Sequence, residues 1–137
     1  MQKALIALLL FGTSAAHAGW VGYAETNSAE SFYDPVNIRK TVALFEKSNQ
    51  FWQIWSLDLL KQAAADGHQS ERTQYEFDCF AGQARILQRL SFASADGSGR
   101  AVQKTQQASP WLTISPNTAL QQLQNVACRG SNRSASH

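Results

Sequence analysis

Apolar and polar residues first separate in the opening eighteen positions. Lys3 precedes an uninterrupted apolar run over residues 4–11; Gly12, Thr13 and Ser14 break it, and Ala16-His17-Ala18 follows. A basic start, a short apolar segment and an A-x-A site, in that order, form a secretory signal peptide. The run is far below the roughly 20 residues that a membrane-spanning helix needs. Cleavage after Ala18 is expected, leaving a mature chain that starts at Gly19-Trp20. A buried core helix is the alternative use of these residues, but it leaves Lys3 and the small-residue site unexplained. No cysteine follows the cleavage site directly, and no later stretch is apolar enough to span a bilayer. The expected product is exported without an anchor of its own: periplasmic, at the cell surface, or secreted.

Past residue 19 the pattern is one of short strands. Residues 20–24 suit a first strand, residues 25–31 are polar and turn-like, and Phe32-Tyr33 begin a second strand. Asp34-Pro35 stops it, because proline lacks a ladder donor and aspartate favours local turn bonding. Ile38, Thr41 and Val42 predict a strand over residues 38–46, with a turn at Ser48-Asn49-Gln50. Residues 51–60 are the most apolar part of the mature chain. With period two, Trp52, Ile54, Ser56 and Asp58 share one face, and Phe51, Gln53, Trp55, Leu57 and Leu59 share the other. Large apolar groups on both faces predict a central strand covered on both sides.

Residues 61–72 form a polar connection in which His68 reads as a solvated side chain. Tyr75, Phe77 and Cys79 then alternate with Glu76 and Asp78. A turn centred on Ala81-Gly82 sets Asp78 opposite Arg85, Phe77 opposite Ile86 and Cys79 opposite Ala84. That register places Phe77, Cys79, Ile86, Leu90 and Phe92 on one inner face, with Gln88 as the exception. Residues 95–99 turn again, and further strands are expected over residues 100–107 and 111–114.

The period then changes. Ala119, Leu120, Leu123, Val126 and Ala127 recur at helical spacing, with Ser115 as N-cap candidate, Pro116 at the first helical position and Gly130 as C-cap. The domain organisation is therefore a signal peptide over residues 1–18, one domain over 19–130 and a flexible tail over 131–137.

Composition narrows the classes. With 44% hydrophobic and 16% charged residues, the chain is globular material. A net charge of +2 is too small and scattered for a nucleic-acid surface. Cys79 and Cys128 are the two cysteines, and an exported protein meets oxidising machinery. Two cysteines allow one pairing, closing a loop of about 50 residues for about 4 kcal/mol in the chain-entropy model. The competing reading, a nucleophilic or metal-binding cysteine, needs a base or three further ligands. The mature chain offers only His68 and His137 and no Cys-x-x-Cys spacing. With Cys128 at the end of the helix, the bridge ties the helix to the inward face of the strands.

Candidate chemistry is sparse. Asp58, Glu76 and Asp78 are the acids worth weighing, and Glu76 and Asp78 share a strand face. Carboxylates can act as acid and base when their environments differ. On an exposed face beside Arg85, however, they read as ordinary anions, with Asp78 and Arg85 in a solvated ion pair. Arg39, Lys40, Lys47 and Lys61 are candidates for a small basic patch, against plain solvation. No catalytic residue, metal set or cofactor site is expected.

Several stretches fit one family together. Residues 20–24 (Trp-Val-Gly-Tyr-Ala), 33–38 (Tyr-Asp-Pro-Val-Asn-Ile), 54–58 (Ile-Trp-Ser-Leu-Asp) and 76–79 (Glu-Phe-Asp-Cys) stand in order. Arg85, Trp111, Ile114, Pro116, Leu120 and Val126-Ala127-Cys128 follow. This chain resembles the bacterial surface-adhesin protein E family over residues 20–128. The resemblance implies an α+β fold: mainly an antiparallel sheet, of about five to seven strands by the pattern above, with one C-terminal α-helix packed on it. It also implies a disulfide between Cys79 and Cys128, and a cell-envelope protein that adheres to host matrix and serum proteins such as laminin and vitronectin. The expected role is a non-catalytic module binding an extracellular-matrix or envelope protein, with adhesive contacts in loops such as residues 25–31 or 61–72. A small periplasmic inhibitor or envelope-maintenance protein is the alternative.

Overall fold

Within residues 19–43 and 46–135, which the computed structural model describes (side chains over 19–41 and 51–129), the chain forms eight strands and one helix. The strands are β1 Val21–Glu25, β2 Ala29–Tyr33, β3 Arg39–Ala43, β4 Glu46–Leu60, β5 Ser70–Asp78, β6 Gln83–Phe92, β7 Ala101–Thr105 and β8 Leu112–Thr113; the helix is α1 Ala119–Ala135. The leader at residues 1–18, including Ala18, lies outside the described residues, as do residues 136–137. All strand pairs are antiparallel, in the order β1-β2-β4-β5-β6-β7, with β3 also on β4 and β8 on β6. The strand count exceeds the expected five to seven, in part because β8 is only a two-residue strand.

The 15-residue β4 is the spine of the sheet. One edge pairs with β5 from Phe51↔Asp78 to Leu59↔Ser70. The other edge is shared end to end by β2 and β3. Asp34-Pro35 makes this division. The Asp34 amide still donates to Trp55 O at 3.2 Å, while its carboxylate accepts from Val36 N at 3.0 Å and Asn37 Nδ2 at 2.7 Å. The chain jogs there and resumes against the same edge. Ser48-Asn49-Gln50, expected as a turn, belongs to β4. The stretch over residues 25–31 is shorter as a turn than expected, since β2 already begins at Ala29. Thr26 accepts from the amides of Ser28 and Ala29 at 3.1 and 3.2 Å and closes the hairpin early.

Register divides the sheet into a helix side and a helix-free side. Ile54, Phe77 and Ala84 are fully buried with Leu123 and Ala127 of α1, and Trp52, Tyr75, Tyr23 and Tyr33 pack around them. Burying a side chain such as Leu123 contributes roughly 1.5–3 kcal/mol, which sets the helix on the sheet. The apolar stripe expected for the helix is the face that packs. The helix starts later than Ser115, however. Asn117 adopts φ 60°, and Thr118 caps instead, accepting from Gln121 N at 3.2 Å while Gln121 Oε1 accepts from Asn117 N at 2.9 Å. Asparagine is among the few residues that take this left-handed conformation readily, so it breaks the turn begun by Pro116. The helix also runs through Gly130 to Ala135, where a C-cap and tail were expected. One internal glycine costs a helix only about 1 kcal/mol relative to alanine, too little to end it.

Two features of the β5–β6 hairpin differ from expectation. Phe77 faces Ala84 and Glu76 faces Arg85, a register two residues away from the expected one. Asp78 causes this: its carboxylate accepts from Ala81 N at 3.0 Å and its carbonyl from Gly82 N at 2.9 Å, so Asp78, the last residue of β5, already opens the turn. Further along, the register slips between Gln74 and Tyr75, because Tyr75 pairs with Ile86 but Gln74 with Gln88. Leu87 is the extra residue. Such a bulge reverses parity, so Leu90 and Phe92 lie on the opposite face from Phe77 and Ile86. Gln88 thereby ceases to be an exception.

Cys79 lies just past β5 and is bonded to Cys128 of α1, with Cα atoms 5.7 Å apart. At the other end of the sheet, residues 93–100 fold back over the helix-free side. The Gly97 amide donates to Ser70 Oγ at 2.8 Å, and Ser70 Oγ donates to Ser94 O at 2.7 Å. Gly97, at φ 73°, rests against Leu57, which is 2% exposed. The central strand is thus covered on both faces, by α1 at one end and by this loop at the other.

Candidate functional site

The helix-free side carries two aromatic–arginine stacks joined by amides. Pairing aligns Gln53, Trp55 and Leu57 of β4 with Glu76, Gln74 and Arg72 of β5, and these with Arg85, Gln88 and Leu90 of β6. In the first stack the Arg72 guanidinium lies 5.7 Å from the Trp20 ring and 5.4 Å from the Trp55 ring. No acid pairs with Arg72 among the described residues, and its Nε is buried without a partner. In the second, Arg85 lies 4.5 Å over Trp111, whose ring is 5.5 Å from that of Phe51. Arg85 also forks onto Glu76 Oε1, through Nε at 2.8 Å and a terminal nitrogen at 2.7 Å. Between the stacks, Gln88 donates to Gln74 at 2.9 Å and Gln74 to Gln53 at 3.5 Å. Trp20, Trp55, Trp111 and both arginines keep part of their surface open to solvent.

The expected ion pair is therefore replaced. Arg85 meets Glu76 rather than Asp78, and the acid is buried at 5% exposure rather than solvated. Gln53 Nε2 at 3.0 Å and Thr41 Oγ1 at 3.3 Å supply further donors to Glu76. A carboxylate so surrounded positions Arg85. Asp78 serves the turn. The two carboxylates are held by different partners.

Asp58 lies on the other side of the sheet, in a hydroxyl network. Ser31 Oγ donates to Asp58 Oδ1 at 2.7 Å, Ser56 Oγ donates to it at 3.4 Å, and Ser56 lies 2.7 Å from the Tyr23 hydroxyl. Burial pushes the Asp58 carboxyl up, against the pull of Ser31. Burial likewise raises the Tyr23 and Tyr75 phenols, and Asp58 beside them adds to both shifts. The two phenols hold their protons at neutral pH. The network is internal and satisfied, and it links β1, β2 and β4.

His68 is not solvated. Its Nδ1 lies 2.5 Å from Asp66 and its Nε2 2.8 Å from Glu71, with the side chain 11% exposed. Burial opposes the protonated ring, but hydrogen bonds to Asp66 and Glu71 outweigh it and raise its pKa. The basic residues do not gather. Arg39 and Lys40 are consecutive in a strand and point to opposite faces, and Lys61 pairs with Glu25 at 2.7 Å. Arg39 faces Gln53, eight residues along β4 from Lys61, a span of roughly 26 Å at strand rise. Lys47 falls where side chains are not described. Among the described residues no cluster of three His, Cys, Asp or Glu side chains is arranged to hold a metal ion, and no helix is long and apolar enough to cross a membrane.

The sequence placed Gln53 and Trp55 on one face, but not Trp20, Arg72 or Trp111 beside them. The available signal was the parity of Arg72, Gln74 and Glu76, which matches that of Gln53 and Trp55 once the strands pair.

Fold and face together make an antiparallel sheet backed by one helix, with aromatic and cationic groups on the helix-free side. The model of one family, surface-adhesin protein E, matches residues 20–129, and the chain belongs to that family. Two structures of Haemophilus influenzae protein E share the fold. Crystal form II is 16% identical with a TM-score of 0.63, covering 82% of this chain and 89% of that one. The other is 15% identical with a TM-score of 0.62, covering 82% and 86%. No curated protein sequence matches the chain. The chain is accordingly a surface-adhesin-type protein, and its family points to protein binding and to an exported or cell-surface location.

Proposed function

We propose that the mature chain is an exported protein-binding module that engages an extracellular-matrix or envelope protein through the helix-free face. The observation that carries this is Arg72 held between Trp20 and Trp55 without an acid partner among the described residues. Tryptophan and arginine dominate the energetic centres of protein interfaces, where flat rings bury area at low entropic cost. Stacking fixes the guanidinium plane, so a partner carboxylate gains a charge-assisted bond from a group already oriented. The N-terminal leader is part of the same reading: residues 1–18 are removed after Ala18, and the exported protein starts at Gly19. N-terminal sequencing of the exported form checks that directly.

Binding is tested with the mature protein against immobilised laminin, vitronectin and envelope-protein extracts. The expected result is saturable binding to a protein partner that falls about tenfold or more in Arg72→Ala and Trp55→Ala, with circular dichroism unchanged. No binding to any of these, or binding indifferent to both substitutions, overturns the proposal. Cell fractionation then separates the two settings: surface exposure matches adhesion, and periplasmic retention matches a partner inside the envelope.

A further inference from the structure

A second site lies on the helix side, where α1 passes the junction between β2 and β3. A cleft of about 370 Å³ opens there, with Tyr33, Ile38 and Trp52 from the sheet side and Val126 and Ala127 from the helix. Exposed Arg129 completes the lining and has no ion pair among the described residues. Trp52 carries a further anomaly, because its Nε1 is buried without a hydrogen-bond partner among the described residues. A buried donor left unpaired costs about 1–3 kcal/mol, so natural proteins rarely leave one without a reason.

We propose that this cleft binds a small apolar monocarboxylate. The volume accommodates about a dozen non-hydrogen atoms, taking roughly 30 Å³ for each. It falls within the range of small-molecule sites, which pair apolar walls with a few placed polar groups. Apolar side chains from strand and helix take the body of the ligand. Its head group must be an anion, because the one charged residue in the lining is a cation with no ion pair among the described residues. A carboxylate has two oxygens, one to meet Arg129 and one to accept from the orphaned indole. A neutral apolar molecule satisfies neither donor. The cleft and the tryptophan–arginine face lie on opposite sides of the sheet, so this site stands or falls independently of the proposed partner surface.

The probe is decanoate, compared with decanamide, which has the same chain and no charge. Each is titrated into the purified, disulfide-intact protein, and the Trp52 indole N–H resonance is followed by NMR, assigned through its loss in Trp52→Phe. Decanoate is expected to shift that resonance saturably. Decanamide should bind about tenfold or more weakly, as loss of a charge-assisted bond implies. Arg129→Gln should reduce decanoate to the level of the amide, while Arg129→Lys retains part of the preference for the acid. Absence of a Trp52 shift up to the solubility limit overturns the site. Equal binding of acid and amide overturns the role of Arg129.

Discussion

Gly97→Ala probes how the 93–100 loop seats on the sheet, and its cost can be worked from geometry. Gly97 has φ 73°, in the left-handed region that costs alanine about 1–2 kcal/mol. An added Cβ would stand 2.5 Å from Leu57 Cδ1, 3.7 Å from Leu57 Cγ and 3.8 Å from Arg72 Cδ. Leu57 is enclosed and cannot yield freely, so overpacking adds about 1–3 kcal/mol. The total is about 2–5 kcal/mol, a large part of the stability of a small domain. Gly99 supplies the control in the same loop: its φ is 85° and nothing lies within 4 Å of its Cβ position. Gly99→Ala should carry the conformational cost alone. The entropy that alanine removes from the unfolded chain is common to both variants and cancels in their difference. In urea titrations followed by circular dichroism, Gly97→Ala should have the lower midpoint at unchanged slope, by the equivalent of about 1–3 kcal/mol. Equal midpoints for the two variants would refute the close approach to Leu57. The Arg72 stack sits against the same loop, so loss of partner binding should accompany the drop at position 97 and not at 99.

The other predictions concern the links between elements. Cys128→Ala, or reduction, should lower stability by about 2–5 kcal/mol, and an unchanged melting temperature under reductant contradicts it. Arg85→Ala strands a buried Glu76 carboxylate and should cost about 2–4 kcal/mol in denaturant unfolding, most of which Glu76→Gln in the same chain should restore. The folded His68 pKa lies above its ordinary 6.5, so its contribution is complete below that pH and disappears as pH rises through the folded value. The melting difference between wild type and His68→Gln should shrink across that rise, and a flat difference rejects the Asp66–His68–Glu71 pairing. Asp58 has the opposite consequence: a carboxyl raised by burial weakens the fold once ionised. Asp58→Asn keeps an acceptor for Ser31, so it should stabilise the protein above the folded pKa and lose that advantage below pH 3.8. A gain that persists in acid would exclude ionisation as its source.

Local pattern sufficed where one element's periodicity meets one core. The stripe through Leu120, Leu123 and Ala127 faces the sheet, and the parity of Ile54 and Phe77 gives the buried layer. Pattern failed where side chains rewrite the backbone. Asp78 opens its turn early, Asn117 delays the helix, and Leu87 changes the phase of β6; each effect is settled by a few hydrogen bonds and by strand pairing that a hydropathy period does not contain. The candidate face was the least legible part. Trp20, Trp55, Arg72 and Trp111 come from four segments, and the pairing of β1, β2, β4, β5, β6 and β8 sets them on one side of the sheet. His68 shows the same limit on a smaller scale, since its partners depend on the path of a loop.

Leu87 also has an evolutionary consequence. One unpaired residue decides which half of β6 looks inward, so the strand behaves like a parity counter. Removing Leu87 would turn Leu90 and Phe92 toward the helix side and Arg89 away from Thr73, exchanging oily and charged surfaces over the second half of β6. Among related chains, a length change within this strand should therefore survive only when a second, compensating change restores the count.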